Sequence, residues 1–330
     1  MRINRIEAKS IQDTRGRATI ETTLFADAVQ GACTASVPSG KSTGKHEASE
    51  LRDADGGVAG AVANVNGEIA TAIIGHDFNS LDELDTFLIN LDGTPNKSRL
   101  GANAILSVST AAMRLSALQE NIPLWKAIAK RAGTTHSAPR LFVNVMNGGA
   151  HADFKLPFQE YLLVVEGKTS TALPIAKELF AKLGERLGTG IGMGDEGGYA
   201  PTFDTLEKPF ELLSELIKEF PNTSIAIDAA GNELFHDGAY QLLGKSYSPD
   251  EFAAMYRELV ERFSLHSIED PFAEDASDDF ARLTASLGEK ILVIGDDLTC
   301  TNPSRIKDAA HNKEINAVLI KPNQIGTVCE

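Results

Sequence analysis

Five short apolar runs in the second half of the chain each lead into residues that can do chemistry. Residues 191–194 lead into Asp195 and Glu196, 225–227 into Asp228, 267–268 into Glu269 and Asp270, 291–295 into Asp296 and Asp297, and 317–320 into Lys321. The intervals from Glu196 through Asp228, Glu269 and Asp296 to Lys321 are 32, 41, 27 and 25 residues, each room for a strand and a helix. Ionisable residues at the C-terminal ends of successive parallel strands meet on one rim of a (β/α) barrel, where such folds hold their chemistry. Any one of these acids could be the N-cap of the helix that follows it. Four consecutive units, three with acid doublets, and a lysine at the fifth favour one shared site, and carboxylates crowded together need a counter-cation.

Asp228, Glu269 and Asp296 offer oxygen ligands with no imidazole or thiolate, a set that selects Mg²⁺ over zinc or copper and leaves positions for water and substrate. A cation beside Lys321 disfavours its ammonium form and moves it toward use as a general base. The plainer reading of Lys321 is a salt bridge to Asp296 or Asp297.

The rest of the chain must position these groups. Its 330 residues predict about two domains at roughly 150 residues each. With 42% hydrophobic and 23% charged residues it has the composition of a globular protein with a sizeable core. A net charge of −15 is the wrong sign for binding a phosphate backbone, so nucleic acid is excluded as a main partner. Cys33, Cys300 and Cys329 lie far apart and form no C-x-x-C pair, which fits a reducing compartment. Residues 1–7 lack the apolar core of a signal peptide and no run approaches the ~18 apolar residues of a membrane span, so the expectation is a cytoplasmic protein with no membrane partner.

Runs at 3–11, 19–26 and 31–37, separated by turn-prone residues, predict a three-stranded meander. Helices follow: Ser80 and Glu83 make a capping box, and Ile105, Val108, Ala112, Leu115 and Leu118 recur on one apolar face. Residues 132–139, between Arg131 and Arg140, are small, polar and aperiodic, the best linker. The expected organisation is an N-terminal α+β capping domain over 1–135, with a mobile Gly- and Ser-rich lid loop at 36–57, and an α/β barrel over 136–330. Within the latter, Ser248, Pro249 and Glu251 open a helix carrying Phe252, Met255, Tyr256, Leu259, Val260 and Phe263.

Two motifs mislead. Gly40-Lys41-Ser42 looks like the end of a phosphate loop, but the pattern needs glycine at position 35, where Ala35 stands. Residues 192–197 satisfy G-x-G-x-x-G yet put two carboxylates where a pyrophosphate would lie.

Eight segments, in order along the chain, carry a resemblance: 37–44 (VPSGKSTG), 100–106 (LGANAIL), 147–152 (NGGAHA), 194–198 (GDEGG), 267–272 (SIEDPF), 295–299 (GDDLT), 301–303 (TNP) and 321–327 (KPNQIGT). Together they resemble the motifs of the enolase family. That resemblance implies reversible, Mg²⁺-dependent dehydration of 2-phospho-D-glycerate to phosphoenolpyruvate in glycolysis and gluconeogenesis, with two Mg²⁺ per site. It implies Lys321 as the base that removes the α-proton, Asp228, Glu269 and Asp296 as ligands of the Mg²⁺ on the substrate carboxylate, and Glu196 as the acid that assists hydroxyl departure, with Glu160 beside it. Gln159, His151 and the Ser42 loop would close on the substrate, Ser42 supplying a ligand to the second Mg²⁺. Without the resemblance Ser42 and His151 read as loop residues, and Gln159 and Glu160 as outward strand residues. A homodimer is implied too.

Several features depart from the pattern. Lys41 stands where a small residue is usual, Asp153 where glycine is usual, and Pro322 follows the base. The family continues past the Lys321 motif with a helix, a final strand bearing a His-Arg-Ser phosphate-binding run, and a second lysine. The expectation is therefore a barrel of seven strands counted from Phe142, lacking its last, in a chain that is a C-terminally truncated copy unless another segment fills the gap. The alternatives are a catalytically silent fragment that keeps Mg²⁺, or a related lyase acting on another carboxylate.

Overall fold

The computed structural model describes residues 1–26, 31–40, 44–152 and 156–330. Ser42, Lys41 and Asp153 lie outside them. The chain divides into two compact units, residues 1–136 with 300–303 and 320–330, and residues 137–299 with 304–319. Among the described residues no helix is long and apolar enough to cross a membrane.

In the first unit, β1 (Ile3–Gln12), β2 (Ala18–Ala26) and β3 (Ala32–Ser36) form the expected antiparallel meander in the order β1-β2-β3. The β1–β2 turn is built by Asp13, whose carboxylate accepts the N–H groups of Arg15 (2.9 Å) and Arg17 (2.8 Å). Helices α1 (Ala59–Asn64) and α2 (Ala70–Ile73) flank a π-helical stretch, Val65–Ile69, and α3 (Leu81–Asp92), α4 (Ala102–Gln119) and α5 (Leu124–Arg131) follow. Ser80 caps α3 by accepting the Glu83 N–H at 3.1 Å, but the Glu83 carboxylate accepts the N–H of Asn79, at 2.7 Å, so the expected box closes one residue early.

Helix α4 differs from expectation. It is buried on all sides over residues 102–109 rather than on one face, and Leu118 is exposed. Small Ala and Ser residues permit this, and the polar ones find partners: the Ser107 hydroxyl bonds Thr22 at 2.7 Å, and Asn103 exchanges two hydrogen bonds with the backbone of Leu51.

The second unit contains β4 (Leu141–Asn147), β5 (Glu160–Val165), α6 (Thr169–Leu187), α7 (Lys208–Ile217), β6 (Thr223–Asp228) and α8 (Gly231–Leu234). A small antiparallel sheet of β7 (Phe235–His236), β8 (Ala239–Leu242) and β9 (Lys245–Tyr247) precedes α9 (Pro249–Phe263). Then come β10 (Ser267–Glu269), α10 (Ser277–Leu287), β11 (Leu292–Gly295), α11 (Pro303–His311) and β12 (Ala317–Val318). The capping box of α9 is complete, with the Ser248 and Glu251 side chains each accepting the other's backbone N–H. Phe158, Tyr161, Phe210, Phe252, Tyr256 and Phe272 are fully buried in one hydrophobic core.

That sheet runs β12-β11-β10-β6-β5-β4. Strands β6, β10, β11 and β12 are parallel, whereas β5 is antiparallel to both β4 and β6. Among the described residues it has six strands, not seven. The expected strand at 191–194 is replaced by isolated bridges, Met193 to Tyr199 and Tyr199 to Met146. The run Ile191-Gly192-Met193-Gly194 is half glycine, and glycine weakens a strand by its entropy and its lack of a packing side chain.

The segment 320–330 groups with the first unit. Lys321 precedes a one-turn helix, α12 (Pro322–Ile325), and its N–H donates to the Thr301 hydroxyl at 2.8 Å. Thr301 in turn donates to the Gln324 side chain, whose backbone carbonyl accepts the Ala48 N–H, both at 2.8 Å. Beyond it, the Cys329 N–H donates to Asp85 at 2.9 Å and Lys97, itself buried, pairs with Glu330 at 2.8 Å. Burial pushes the Asp85 carboxyl up from 3.8 to about 6, against the lowering effect of the Cys329 N–H.

Candidate active site and metal centre

Strand register in the second unit assembles a carboxylate edge. Glu160 pairs with Asp228 across β5 and β6, Asp228 with Glu269 across β6 and β10, and Glu269 with Ile294 across β10 and β11, two residues before Asp296. Glu160 begins its strand while Asp228 and Glu269 end theirs; the reversal of β5 brings it to the same edge. Neighbouring strands are about 4.8 Å apart, so these side chains stand in a row.

Asp228 is held from two sides: the Gln159 amide donates to Oδ2 at 2.8 Å and the Ala230 N–H to Oδ1 at 2.9 Å. Gln159 is buried, and its Oε1 has no hydrogen-bond partner among the described residues. His151 sits buried in a short 3-10 turn, Gly149–Ala152, with Nδ1 3.4 Å from Glu196 Oε2 and Nε2 without a hydrogen-bond partner among the described residues. The same Glu196 oxygen accepts the Asn144 amide at 2.8 Å.

The approach of the 194–198 segment to β4 depends on glycine. The Gly198 N–H donates to Asn147 Oδ1 at 2.9 Å, and a Cβ at Gly198 would lie 2.8 Å from that oxygen and 2.9 Å from Asn144 Oδ1. At Gly194 it would lie 2.3 Å from Asn147 Cβ. The glycines of GDEGG are thus needed to press Glu196 against the strand that carries Asn144 and Asn147.

The charge is crowded. Burial pushes the Glu160 carboxyl well above the usual carboxylate range, helped by its contact with Glu196 and the charges of Asp228 and Glu269. Asp270 is raised by burial and by Asp297, Asp296 and Asp228. Two sets of described residues bring their ligand atoms within 4.8 Å of one another: His151, Glu160 and Glu196, and Asp270, Asp296 and Asp297. Asp228 ends β6 and Asp296 follows β11, with β10 and its terminal Glu269 between them. Carboxylates in a row, excess negative charge and groups on Gln159 and His151 that find no hydrogen-bond partner among the described residues fit a hard cation with a polar ligand.

Of the residues singled out by sequence, the second unit brings together His151, Gln159, Glu160, Glu196, Asp228, Glu269 and Asp296; Lys321 belongs to the first. Sequence reasoning did not single out Asn144, Asn232 or the function of Asp270, and it marked Asn147 only as the first residue of the NGGAHA segment. Asn144 is a polar residue inside an apolar run, the signal that could have marked it.

The chain matches the family models described as "Enolase, N-terminal domain" over residues 3–128 and "Enolase, C-terminal TIM barrel domain" over 135–330. It is 42% identical to the enolase of Anaplasma phagocytophilum, an alignment that covers 100% of this chain and 80% of the relative. It is 41% identical to the enolase of Methanopyrus kandleri, covering 100% and 81% of the two chains. With the enolase of Corynebacterium kroppenstedtii it shares 38% identity over 98% and 79%. Two family domains in order, and relatives from bacteria and an archaeon matched along the whole sequence, establish that the chain belongs to the enolase family.

Proposed function

We propose that the protein is a hydro-lyase interconverting 2-phospho-D-glycerate and phosphoenolpyruvate plus water, in glycolysis and gluconeogenesis, with Mg²⁺ as cofactor. The observation that carries this reading is the register-locked edge Glu160–Asp228–Glu269 in a chain of this family. Asp228, Glu269 and Asp296 would hold one Mg²⁺, and Ser42 would contribute to a second. Bound there, Mg²⁺ offsets the negative charge that grows on the substrate carboxylate as the proton leaves.

The protein residues divide the proton chemistry. Lys321, as the neutral amine, takes the proton from carbon 2. Glu196 gives a proton to the hydroxyl leaving carbon 3, and Glu160, whose burial favours its protonated form, supports it. Gln159 fixes Asp228 with one end of its amide and offers Oε1 to the ligand. His151 faces the same carboxylate as Asn144 and contributes a ring nitrogen. A lid role for the 36–57 loop, of which residues 41–43 lie outside the described residues, would exclude water during the reaction. The family supports a cytoplasmic homodimer with no nucleic-acid or membrane partner.

Ultraviolet detection of phosphoenolpyruvate tests the reading. Product should form from 2-phosphoglycerate with Mg²⁺ and not with EDTA, and Lys321→Ala should lower kcat by about 10²–10⁴-fold. Full activity in Lys321→Ala removes the base assignment. Turnover of a different carboxylate substrate alone replaces the reaction, and no turnover of any substrate rejects it.

A further inference from the structure

We propose that Asp270 is a positioning residue for the cation site, a carboxylate bracket that grips the backbone beneath Asp296 and so fixes where Asp296 presents its oxygens. The inference rests on the reading of Asp296 as a metal ligand. Asp270 Oδ1 accepts the Asp296 N–H at 2.9 Å and Oδ2 accepts the Asp297 N–H at 2.7 Å. Its own N–H donates to the Ile294 carbonyl at 3.0 Å, and its carbonyl accepts the Gly231 N–H at 2.9 Å. The side chain is buried, and the backbone holds φ at +39°, a conformation sparsely used by residues other than glycine. Such a conformation persists where surrounding contacts over-determine it.

The bracket extends outward. The Asn232 amide donates to the Asp297 carboxylate at 2.8 Å, and its carbonyl accepts the Glu274 N–H at 2.8 Å. The segments after β6, β10 and β11 are thereby tied together. Asp270 follows Glu269 directly and binds Asp296 through its backbone, so both ligands are referred to one rigid group. A carboxylate suits this role because each oxygen accepts one N–H. Asparagine has the same shape but a single oxygen, and its NH₂ would face one of the two backbone donors.

The test is Mn²⁺ titration of the full chain by electron paramagnetic resonance, with thermal unfolding measured in EDTA. Loss of partners that hold a metal ligand costs about 10–100-fold in metal affinity. Asp270→Asn should therefore raise the Mn²⁺ Kd at least about tenfold and alter the bound-ion spectrum. Ser248→Ala, which weakens the distant α9 cap, should leave Kd unchanged. A folded Asp270→Asn with the wild-type Kd overturns the bracket alone. A wild-type chain that does not bind Mn²⁺ overturns both the bracket and the metal reading of the site. Should Asp270→Asn fail to fold, Asp270→Ser is titrated in its place with the same expectation; failure of both to fold overturns the proposal, since Asp270 would then hold the fold rather than the ligand.

Discussion

Glu160 faces Asp228 across the antiparallel β5–β6 pair, the first residue of one strand against the last of the other. Two acids directly opposite on a sheet repel, and burial makes the repulsion worse. A site that gathers charge in this way gives up stability when empty and recovers it when a cation arrives. Glu160→Gln keeps the shape and removes one acid. In EDTA at neutral pH its unfolding free energy should rise by up to about 1 kcal/mol, while kcat falls at least about 100-fold. Denaturant unfolding and steady-state kinetics on the same preparation check the opposed signs; a variant less stable than wild type contradicts the repulsion.

Gly198→Ala should do the reverse and damage both properties. The added methyl would meet Asn147 and Asn144 oxygens at 2.8 and 2.9 Å, so the strand or the 194–198 segment must move. Overpacking of this kind costs about 1–3 kcal/mol. Because Asn144 carries Glu196, a drop in kcat should accompany the loss, and an unchanged kcat with unchanged unfolding would refute the close approach.

Asp85 predicts a pH dependence. Its folded carboxyl titrates at about 6 and its ordinary value is 3.8, so the unfolded chain loses the proton first as pH rises. Wild-type stability from this group is intact below about 4 and lost progressively up to about 6, to a total of roughly 3 kcal/mol at 1.4 kcal/mol per unit. Asp85→Asn retains an acceptor for the Cys329 N–H and carries no charge. Its stability advantage should be near zero at pH 4, grow to about pH 6 and then level off, as read from denaturant midpoints; an advantage that shrinks with pH rules out the assignment.

Ser248→Ala should cost about 1 kcal/mol, the usual value of an N-cap hydroxyl. The Glu251 carboxylate loses the Ser248 hydroxyl in the same change and keeps the backbone N–H of position 248, each at 2.8 Å. Unfolding by urea measures it, and a loss below about 0.3 kcal/mol would show that packing of Phe252, Tyr256 and Leu259 holds α9 without its cap.

What the sequence disclosed was local. The meander followed from alternating runs broken by Asp13 and Gly16, and α9 from Ser248 and Glu251, because turn and cap chemistry lies within a few residues. The acids at the edge were visible because each follows its own apolar run. The direction of β5 was not, since periodicity is the same read either way, and Glu160 was therefore placed only through the family resemblance. The 191–194 run looked like a strand from its isoleucine and methionine, yet its two glycines leave little to pack. Asp270 resembled one more acid in a doublet; only its contacts with the backbone of Asp296 and Asp297, 26 and 27 residues later, distinguish it. The all-round burial of α4 was concealed by its serines, which count as polar until Thr22 is seen beside Ser107.

The reversal of β5 also sets where the chain tolerates change in length. Residues 156–159 deliver Glu160 to the carboxylate edge, whereas 166–168 turn the chain at the opposite end of the same strand. An extra residue inserted among 156–159 is thus absorbed next to the chemistry, and one inserted among 166–168 about 17–20 Å from it, the span of a strand of five or six residues. Homologues of this fold should accordingly vary in the second connection and keep the first at constant length.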